Sequence, residues 1–369
     1  MQNPKVSVIV PVYNGEKFIA ETIQMLLNST LHDIEIIAID DGSKDKSADI
    51  CRNIAIYDQR VKVVCQDNSG VSGARNQGLL MARGDYICFC DQDDVIESRA
   101  YEEMYEKAQE YNCDVIMSGT GKLIGDRREI FERLPDAFFT GEEIRNNCMM
   151  PILFNGTYCY SAKNGVRLEN DIWKCMIKRE FIIRNGLTFR RFVNYEDDFI
   201  FLLDVLARAQ RLVTVADILY YWRVNLASET YNTAYVENLY EKDMQLQHEI
   251  ISIMQVAKID FSYIDMYNKF QNCNRYIHLI ENVSRSDGKK LREKIAYLKR
   301  IHYETEFIES VNFRNKFKKN LIHRKIVLAL VDKGFFGVAW LFHNIYSFVR
   351  KKGLLFRWWT RVENYLYIR

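Results

Sequence analysis

The sequence predicts an α/β fold: a mainly parallel sheet flanked by helices, with a helical extension at the C-terminal end. In residues 1–120, short apolar and β-branched runs alternate with longer amphipathic segments. Such alternation favours repeated strand–helix–strand units, whose strands lie parallel to one another. From residue 230 to residue 310 the spacing of apolar residues becomes helical.

The predicted strands are short and rich in valine and isoleucine, and turn residues separate them from the helices. The strands are residues 6–12, 34–39, 61–65, 86–90 and 114–118, and the first three helices are residues 16–28, 44–57 and 71–82. Four strands are followed by the polar clusters Tyr13-Asn14, Asp40-Asp41, Asn68-Ser69-Gly70 and Asp91 to Asp94. Since ligands bind beyond the carboxyl ends of parallel strands, we expect a binding cleft where these clusters meet.

The composition predicts a sizeable core and no polyanionic partner. The 369 residues are 48% apolar and 27% charged, and the formal net charge is +2, which disfavours nucleic-acid binding. The length favours more than one domain. The expected division is an α/β domain over residues 1–228, a helical domain over 229–310 and a basic amphipathic extension over 311–369.

The cysteines and apolar runs predict a cytoplasmic location. Nine cysteines are scattered along the chain without zinc-type spacing, as is typical of reduced, buried thiols. The first apolar run, residues 6–12, is too short for a signal-peptide core. No uninterrupted apolar stretch reaches the ~18 residues of a membrane span.

The acidic loop after the fourth strand is a candidate metal site. Asp91, Asp93 and Asp94 place carboxylates on one short turn, and Mg²⁺ or Mn²⁺ binds such oxygens together with substrate phosphates. A bound ion would stabilise the charge on a departing diphosphate. The alternative is a solvated acidic turn in which Asp94 caps the next helix.

Four segments together resemble the family 2 glycosyltransferases, which have the GT-A fold. They are VSVIVPVYNGE at 6–16, IAIDDGS at 37–43, NSGVSGARN at 68–76 and GDYI to DQDD at 84–94. All four occur in the family's order and near its spacing. The resemblance implies a Rossmann-like GT-A catalytic domain that takes a sugar from a nucleotide-sugar donor.

The resemblance assigns a nucleotide site to the first half of this domain. It implies that Pro11, Tyr13 and Glu16 line the base and ribose pocket. It implies that Asp41 accepts a hydrogen bond from the uracil imide, which fits an acceptor-only carboxylate and favours UDP. Arg75 would face the nucleotide or its diphosphate. Taken alone, Asp41 is also compatible with a turn, Tyr13 with ordinary packing and Arg75 with a surface ion pair.

The same resemblance assigns the acidic loop to the nucleotide and its metal. Asp91 and Asp93 would contact the ribose and a Mn²⁺ or Mg²⁺ ion, and Asp94 is a possible second metal ligand.

A second acidic segment, NYEDDF at 194–199, precedes an apolar helical pattern and resembles the family's E-D pair. The resemblance makes Asp197 the base that takes the proton from the acceptor hydroxyl during inversion, with Glu196 as the second candidate. The alternative is that these carboxylates only stabilise a helix N-terminus through its dipole.

Two further residues are candidates by position. Trp173 lies in a segment that resembles the family's W-K segment and would stack on an acceptor sugar, or belong to the core. Arg223 lies in the strand after the E-D helix and would contact the diphosphate. Many members carry a histidine there, but the histidines of this chain lie elsewhere. Arg223 or Asn225 would take its place, or the site is more open.

The C-terminal segment is basic and aromatic. Residues 311–369 contain thirteen lysines and arginines but only two acidic residues, Asp332 and Glu363. This composition suits a helix on the inner face of an anionic membrane. Packing on the rest of the chain, oligomerisation and nucleic-acid binding are the alternatives. The processive motif Q-x-x-R-W is incomplete, because Leu354 stands in place of glutamine.

The expected function is therefore non-processive, inverting transfer of one sugar, from UDP-sugar to a glycan or lipid-linked hydroxyl in surface polysaccharide synthesis. A sugar-nucleotide nucleotidyltransferase is less compatible, because residues 11–15 lack a glycine-rich phosphate loop. A non-catalytic scaffold that binds nucleotide-sugar is the third hypothesis, and the intact carboxylates disfavour it.

Overall fold

The computed structural model describes most of the chain. The described residues are 3–154, 168–191, 196–225, 235–286, 290–304, 310 and 322–351. The chain forms two compact units. The first unit contains residues 1–153, 161–231 and 252–258, and the second contains 154–160, 232–251 and 259–369. The domain boundaries at residues 228 and 310 stay predictions.

The first part of the sheet follows the predicted strand–helix alternation. Its elements are β1 (Val6–Val12), α1 (Ile19–Leu27), β2 (Ile34–Asp40), α2 (Ser47–Tyr57), β3 (Val61–Cys65), α3 (Gly70–Met81) and β4 (Tyr86–Phe89). Every residue of β1 and β2 is buried, as expected for apolar strands that are covered on both faces.

The middle of the chain contains more strand structure than its sequence indicated. Its elements are β5 (Val95–Ile96), α4 (Ala100–Tyr111), β6 (Val115–Ile124), β7 (Arg127–Glu132), β8 (Ala137–Thr140), α5 (Glu142–Ile144), a π-helical turn (Arg145–Met149), α6 (Met150–Leu153), β9 (Cys175–Lys178), α7 (Arg179–Arg184), α8 (Asp197–Arg208) and β10 (Arg211–Arg223). The long strand β10 pairs with β5, β6 and β8.

The described strands form one mixed sheet in the order β3-β2-β1-β4-β9-β6-β10-β5, with β7 beside β6 and β8 beside β10. Strands β1 to β4, β6 and β10 run in one direction, and β5, β7, β8 and β9 run in the other. The predicted mainly parallel α/β sheet is confirmed. The parallel strands bring the carboxyl ends of β1, β2, β3 and β4 to one edge.

The predicted C-terminal helical region is also confirmed. Its helices are α9 (Leu239–Val256), α10 (Phe261–Ser284), α11 (Leu291–Glu304), α12 (Ile322–Asp332) and α13 (Phe336–Lys351). Asp260 caps α10 through a hydrogen bond of 2.8 Å from the Ser262 N–H. Within the described ranges, the helices are too short or too polar to cross a bilayer. Leu354 and the rest of 352–369 lie outside the described residues.

Candidate active site

The polar loops after β1, β2, β3 and β4 contact one another, as the sequence predicted. The N–H of Tyr13 donates to Oε1 of Gln92 at 2.9 Å, and Nε2 of Gln92 donates to the Tyr13 carbonyl at 3.0 Å. The N–H of Asn14 donates to Oγ of Ser43 at 3.0 Å. These bonds join the loops into one surface beyond the carboxyl ends of the strands.

Asp41 connects the loop after β2 to the start of α3. Its Oδ2 accepts from the Gly70 N–H at 2.8 Å, and its Oδ1 accepts from the Ser69 N–H at 2.9 Å and from Nε2 of Gln66 at 2.7 Å. The side chain is 3% exposed. Since each carboxylate oxygen has about two lone-pair directions, Oδ2 keeps one acceptor position.

The other predicted nucleotide residues differ in exposure. Pro11 lies buried in β1, opposite Ile39 of β2. Tyr13 follows the strand and is 45% exposed. Glu16 is exposed, and its Oε2 accepts from the Lys46 N–H at 3.1 Å. An aromatic ring and a carboxylate are thus exposed beyond the carboxyl ends of the strands.

The acidic loop after β4 is attached to β10. Oδ2 of Asp94 accepts from the Tyr220 hydroxyl at 2.7 Å, and its Oδ1 accepts from the Arg223 N–H at 2.8 Å. Burial, and then the Asp91 and Asp93 carboxylates, raise the pKa of Asp94 well above its ordinary value. Both Asp94 oxygens are therefore engaged in holding the loop.

The Asp93 carboxylate is more available to a ligand than that of Asp94, because it accepts fewer hydrogen bonds. Nδ2 of Asn225 donates to its Oδ2 at 3.4 Å. Burial, and then the Asp91 carboxylate, raise the pKa of Asp93 above its ordinary value. Among the described residues, no group of three or more histidine, cysteine, aspartate or glutamate side chains is arranged to hold a metal ion. A metal here would use Asp91 and Asp93 together with oxygens from a ligand.

Arg75 lies at the centre of a buried cluster of carboxylates. Its Nη2 contacts Oδ1 of Asp91 at 3.1 Å, and its Nη1 contacts Oδ2 of Asp197 at 3.3 Å and Oδ1 of Asp198. Its guanidinium carbon lies 5.3 Å from the centre of the Phe189 ring. Arg75 thus joins the acidic loop to the E-D segment.

The cluster contains more negative than positive charge. Burial alone would lower the pKa of Arg75, but the Asp198, Asp91 and Asp197 carboxylates raise it overall. Burial raises the pKa of Asp198 to about 8; Arg75 opposes this shift, whereas Asp197 and Asp91 add to it. Three carboxylates around one guanidinium repel one another, so it is costly to ionise all of them. Asp198, whose pKa is raised, is the one that keeps its proton most readily.

The E-D segment begins α8. Glu196 is the residue before the helix, and Asp197 is its first residue, 5% exposed. The Ser72 hydroxyl donates to Oδ2 of Asp197 at 2.9 Å. A carboxylate at this position can accept a proton from a hydroxyl bound in the cleft.

Arg223 contacts the acidic loop and helix α1. Its Nε donates to the Asp93 carbonyl at 2.7 Å, and its Nη2 pairs with Oε1 of Glu21 at 3.1 Å. Its side chain is 20% exposed. Contact with a diphosphate stays a prediction.

Trp173 lies in the core, 9% exposed, and stacks on the Tyr220 ring with 4.3 Å between ring centres. One face of its ring is therefore covered, and sugar stacking stays a prediction. The adjacent Lys174 is buried, and its Nζ bonds both Glu132 oxygens, at 2.8 and 2.7 Å. This pair attaches the segment to β7.

Two site residues were missed in the sequence. Ser72 lies within the segment that carries Arg75, three positions before it, and residues at that spacing share a helix face. That spacing was the available signal. Asp198 was considered only as part of a helix N-terminus, and its contact with Arg75 joins residues 123 positions apart.

Comparison with known proteins matches the first part of the chain to one family. The model named Glycosyl transferase family 2 matches residues 7–163. The uncharacterised glycosyltransferase EpsJ of Bacillus subtilis is 34% identical over 62% of this chain and 63% of its own length. The putative glycosyltransferase EpsH of the same organism is 27% identical over 85% of this chain and 87% of its own length. The chain thus matches less than two thirds of EpsJ.

The fold also resembles a solved structure. The crystal structure of S. aureus TarS 1-349 in complex with UDP-GlcNAc has a TM-score of 0.61 and 19% identity, and the likeness covers 93% of this chain and 91% of that one. At this identity the likeness shows a shared fold.

Proposed function

We propose that the chain is a member of glycosyl transferase family 2, whose model matches residues 7–163. On that premise it transfers one sugar from a UDP-sugar to a hydroxyl of a glycan or lipid-linked acceptor, with inversion and without processive elongation. The setting is surface polysaccharide synthesis. The observation that carries the proposal is the Arg75 guanidinium, which contacts Asp91 of the acidic loop and Asp197 of the E-D segment. One side chain thus brings the donor side and the base side of the reaction together.

The donor nucleotide is UDP. Tyr13 supplies an exposed ring beside the buried Pro11, and Asp41 keeps one acceptor position for the imide N–H of uracil. Glu16 lies at the exposed edge for the ribose. TarS of the same fold was crystallised with UDP-GlcNAc, which supports a uridine nucleotide here.

Asp91 and Asp93 would hold a divalent cation, Mn²⁺ or Mg²⁺, together with the donor. The raised pKa of Asp93, caused by burial and then by the neighbouring Asp91 carboxylate, fits residues that need a cation between them. Two carboxylates with substrate phosphates are a typical ligand set for these ions. When bound, the ion would neutralise the negative charge that develops on the leaving diphosphate. Asp94 is the weaker candidate ligand, because both its oxygens are engaged.

Asp197 acts as the base. Its carboxylate takes the proton of the acceptor hydroxyl while that oxygen attacks the anomeric carbon, and the diphosphate leaves from the opposite face with the bonding electrons. The negatively charged cluster around Arg75 also favours the positive charge that develops at the anomeric carbon. Glu196, one residue earlier, is the second candidate. Arg223 is the proposed contact of the diphosphate, and Trp173 that of the acceptor.

We infer that the protein works in the cytoplasm, on the inner face of the membrane. Phe335, Val338, Leu341 and Ile345 are each 53–54% exposed. Val338, Leu341 and Ile345 lie in α13, and Phe335 immediately precedes it. Because the four residues are spaced by three or four positions, they form one outer face. The basic charge of residues 311–369 complements anionic lipid, which makes the lipid surface the occupant of this face.

A vesicle experiment tests the membrane contact. The full chain is expected to sediment with vesicles of phosphatidylcholine and phosphatidylglycerol, and not with phosphatidylcholine alone. Leu341→Glu is expected to abolish sedimentation, while Ile183→Glu, which changes an exposed residue of α7, leaves it intact. Absence of sedimentation by the wild type contradicts the membrane contact. A concentration-dependent dimer lost in Leu341→Glu would assign this face to a second copy.

Calorimetry with UDP tests the donor site. UDP is expected to bind more tightly with Mn²⁺ than without it, and Asp93→Ala is expected to remove the dependence on Mn²⁺. Asp49→Ala, which changes a carboxylate of α2 that is 74% exposed, is the control and is expected to bind as the wild type does. Absence of UDP binding under both conditions contradicts the choice of nucleotide, and GDP and CDP are then tested in the same way.

Turnover tests the reaction itself. UDP release from UDP-glucose, UDP-galactose and UDP-GlcNAc is measured with the full chain. Asp197→Asn is expected to lower kcat by about 10²–10⁴-fold while UDP binding persists. Binding without turnover by the wild type would favour the scaffold hypothesis. Unchanged kcat in Asp197→Asn would remove Asp197 as the base.

A further inference from the structure

Ser72 makes a buried hydrogen bond to the candidate base. It lies in α3, is 7% exposed, and its Oγ–H donates to Oδ2 of Asp197 at 2.9 Å. The two residues are 125 positions apart. The bond therefore depends on the folded arrangement of α3 and the start of α8.

The same carboxylate oxygen also accepts from Arg75. Nη1 of Arg75 contacts Oδ2 of Asp197 at 3.3 Å, while it also contacts Oδ1 of Asp198. Within the part of the chain that the structure describes, Oδ1 of Asp197 accepts no hydrogen bond. The two oxygens of one carboxylate thus have different surroundings.

We infer that Ser72 is a positioning residue for the proposed glycosyl transfer: together with Arg75 it fixes the Asp197 carboxylate through Oδ2 and leaves Oδ1 to take the acceptor proton. This inference rests on the proposed function. Arg75 alone cannot fix the orientation as well, because its Nη1 is shared between two carboxylates. The serine hydroxyl contributes a buried donor, at 2.9 Å, without a second charge.

In the proposed step, the acceptor O–H bond breaks and its proton moves to Oδ1 of Asp197. The acceptor oxygen forms the bond to the anomeric carbon as the bond to the diphosphate breaks. The electron pair leaves with UDP, and the proton later passes to solvent. Ser72 touches none of the reacting atoms, so its effect is on the orientation and charge of Asp197.

The test is Ser72→Ala in the full chain, with UDP release from the UDP-sugar that the wild type uses as the readout. A hydrogen bond to a charged group predicts a kcat about 10- to 100-fold lower. KM for the donor and the Kd of UDP are expected to change less than about twofold, since Ser72 is assigned no contact with the nucleotide. Ser72→Thr, which keeps the hydroxyl, is expected to recover most of kcat.

The pH dependence of kcat separates positioning from packing. In Ser72→Ala the acidic limb is expected to move to higher pH, because the ionised carboxylate has lost a donor that stabilises it. The matched control is Ser29→Ala. Ser29 is also buried, but its hydroxyl has no hydrogen-bond partner among the described residues, so kcat and its pH profile are expected to stay as in the wild type.

Two outcomes would overturn the inference while leaving the proposed function intact. One is a Ser72→Ala variant with the kcat and pH profile of the wild type. The other is equal loss of kcat and melting temperature in Ser72→Ala and Ser72→Thr, which would assign Ser72 to packing. A wild type that neither binds UDP nor uses any donor would remove the proposed function, and the inference with it.

Discussion

At the residue scale, the site is organised by one arginine and three carboxylates. If Asp91, Asp197 and Asp198 were all ionised, Arg75 would leave two negative charges uncompensated in a largely buried cluster. Two of the contacts involve side chains that are 7% and 22% exposed, so water screens them only in part. One proton on Asp198 halves the excess charge.

This excess charge predicts a pH-dependent stability. Burial raises the folded-state pKa of Asp198 to about 8 from an ordinary 3.8. The folded protein therefore holds a proton that the unfolded chain releases, and stability falls as pH rises from 4 to 8. Asp198→Asn removes this titration. Between pH 5 and 8 the free energy of unfolding is expected to fall by roughly 2 kcal/mol less in the variant than in the wild type, since one pKa unit corresponds to about 1.4 kcal/mol. The difference is smaller than the full shift would give, because solvent reaches the carboxyl.

Thermal melting across this pH range measures the effect. The control is Asp49→Asn, whose side chain is 74% exposed, and its pH dependence is expected to follow that of the wild type. Parallel curves for Asp198→Asn and the wild type would show that Asp198 titrates near its ordinary value.

The sequence predicted which residues belong to the site better than it predicted which of them contact one another. Asp41, Asp91, Arg75 and Asp197 all lie at the expected edge of the sheet. Arg75 was expected to face the nucleotide or its diphosphate, which stays a prediction, and its three carboxylate partners were not expected. Its partner Asp197 is 122 positions away, and local patterns carry no information about a pair at that separation.

At the element scale, helix α3 presents two site residues because it packs closely on β1. An added Cβ at Gly78 would lie 2.4 Å from Cγ2 of Ile9. Only glycine permits this approach of helix and strand. Ser72 and Arg75, earlier on the same helix, depend on that distance for their reach to Asp197.

Gly78→Ala is therefore expected to destabilise the protein by about 1–3 kcal/mol, because overpacking outweighs the better helix propensity of alanine. Melting temperature is the measure. Ile9→Ala is destabilising by itself, but Gly78→Ala is expected to cost less stability in that background than in the wild type, because the atom it clashes with is gone. Gly337→Ala is the control, since its Cβ would come no nearer than 3.4 Å to Cδ1 of Ile295. A Gly78→Ala variant as stable as the wild type would contradict the packing argument.

Strand order was less predictable than the strands themselves. The runs at 6–12, 34–39, 61–65 and 86–90 correspond closely to β1, β2, β3 and β4, because short apolar β-branched runs are a local signal. Strand β9 lies antiparallel between β4 and β6, although it comes late in the chain. Its insertion depends on long-range pairing, which residue patterns within one segment do not encode.

At the scale of the whole molecule, the candidate site belongs to one of the two units. Asp41, Arg75, Asp91 and Asp197 all lie in the first unit, residues 1–153, 161–231 and 252–258. The spacing of apolar residues predicted the change from sheet to helices near residue 230. It did not indicate that residues 252–258 belong with the sheet, since that assignment depends on tertiary contacts.

Ligand binding is therefore expected to stabilise the first unit selectively. At 100 times its Kd, UDP with Mn²⁺ adds about 2.7 kcal/mol to the unit that binds it. For a unit of about 230 residues this corresponds to a melting temperature roughly 5–10 °C higher. Scanning calorimetry is expected to show one transition that moves and one that does not, and Asp93→Ala is expected to reduce the movement. If the transition of the helical unit moved instead, the nucleotide would bind there. If both moved together, the two units would unfold as one cooperative structure, and occupancy of the sheet-edge site would then stabilise the entire chain.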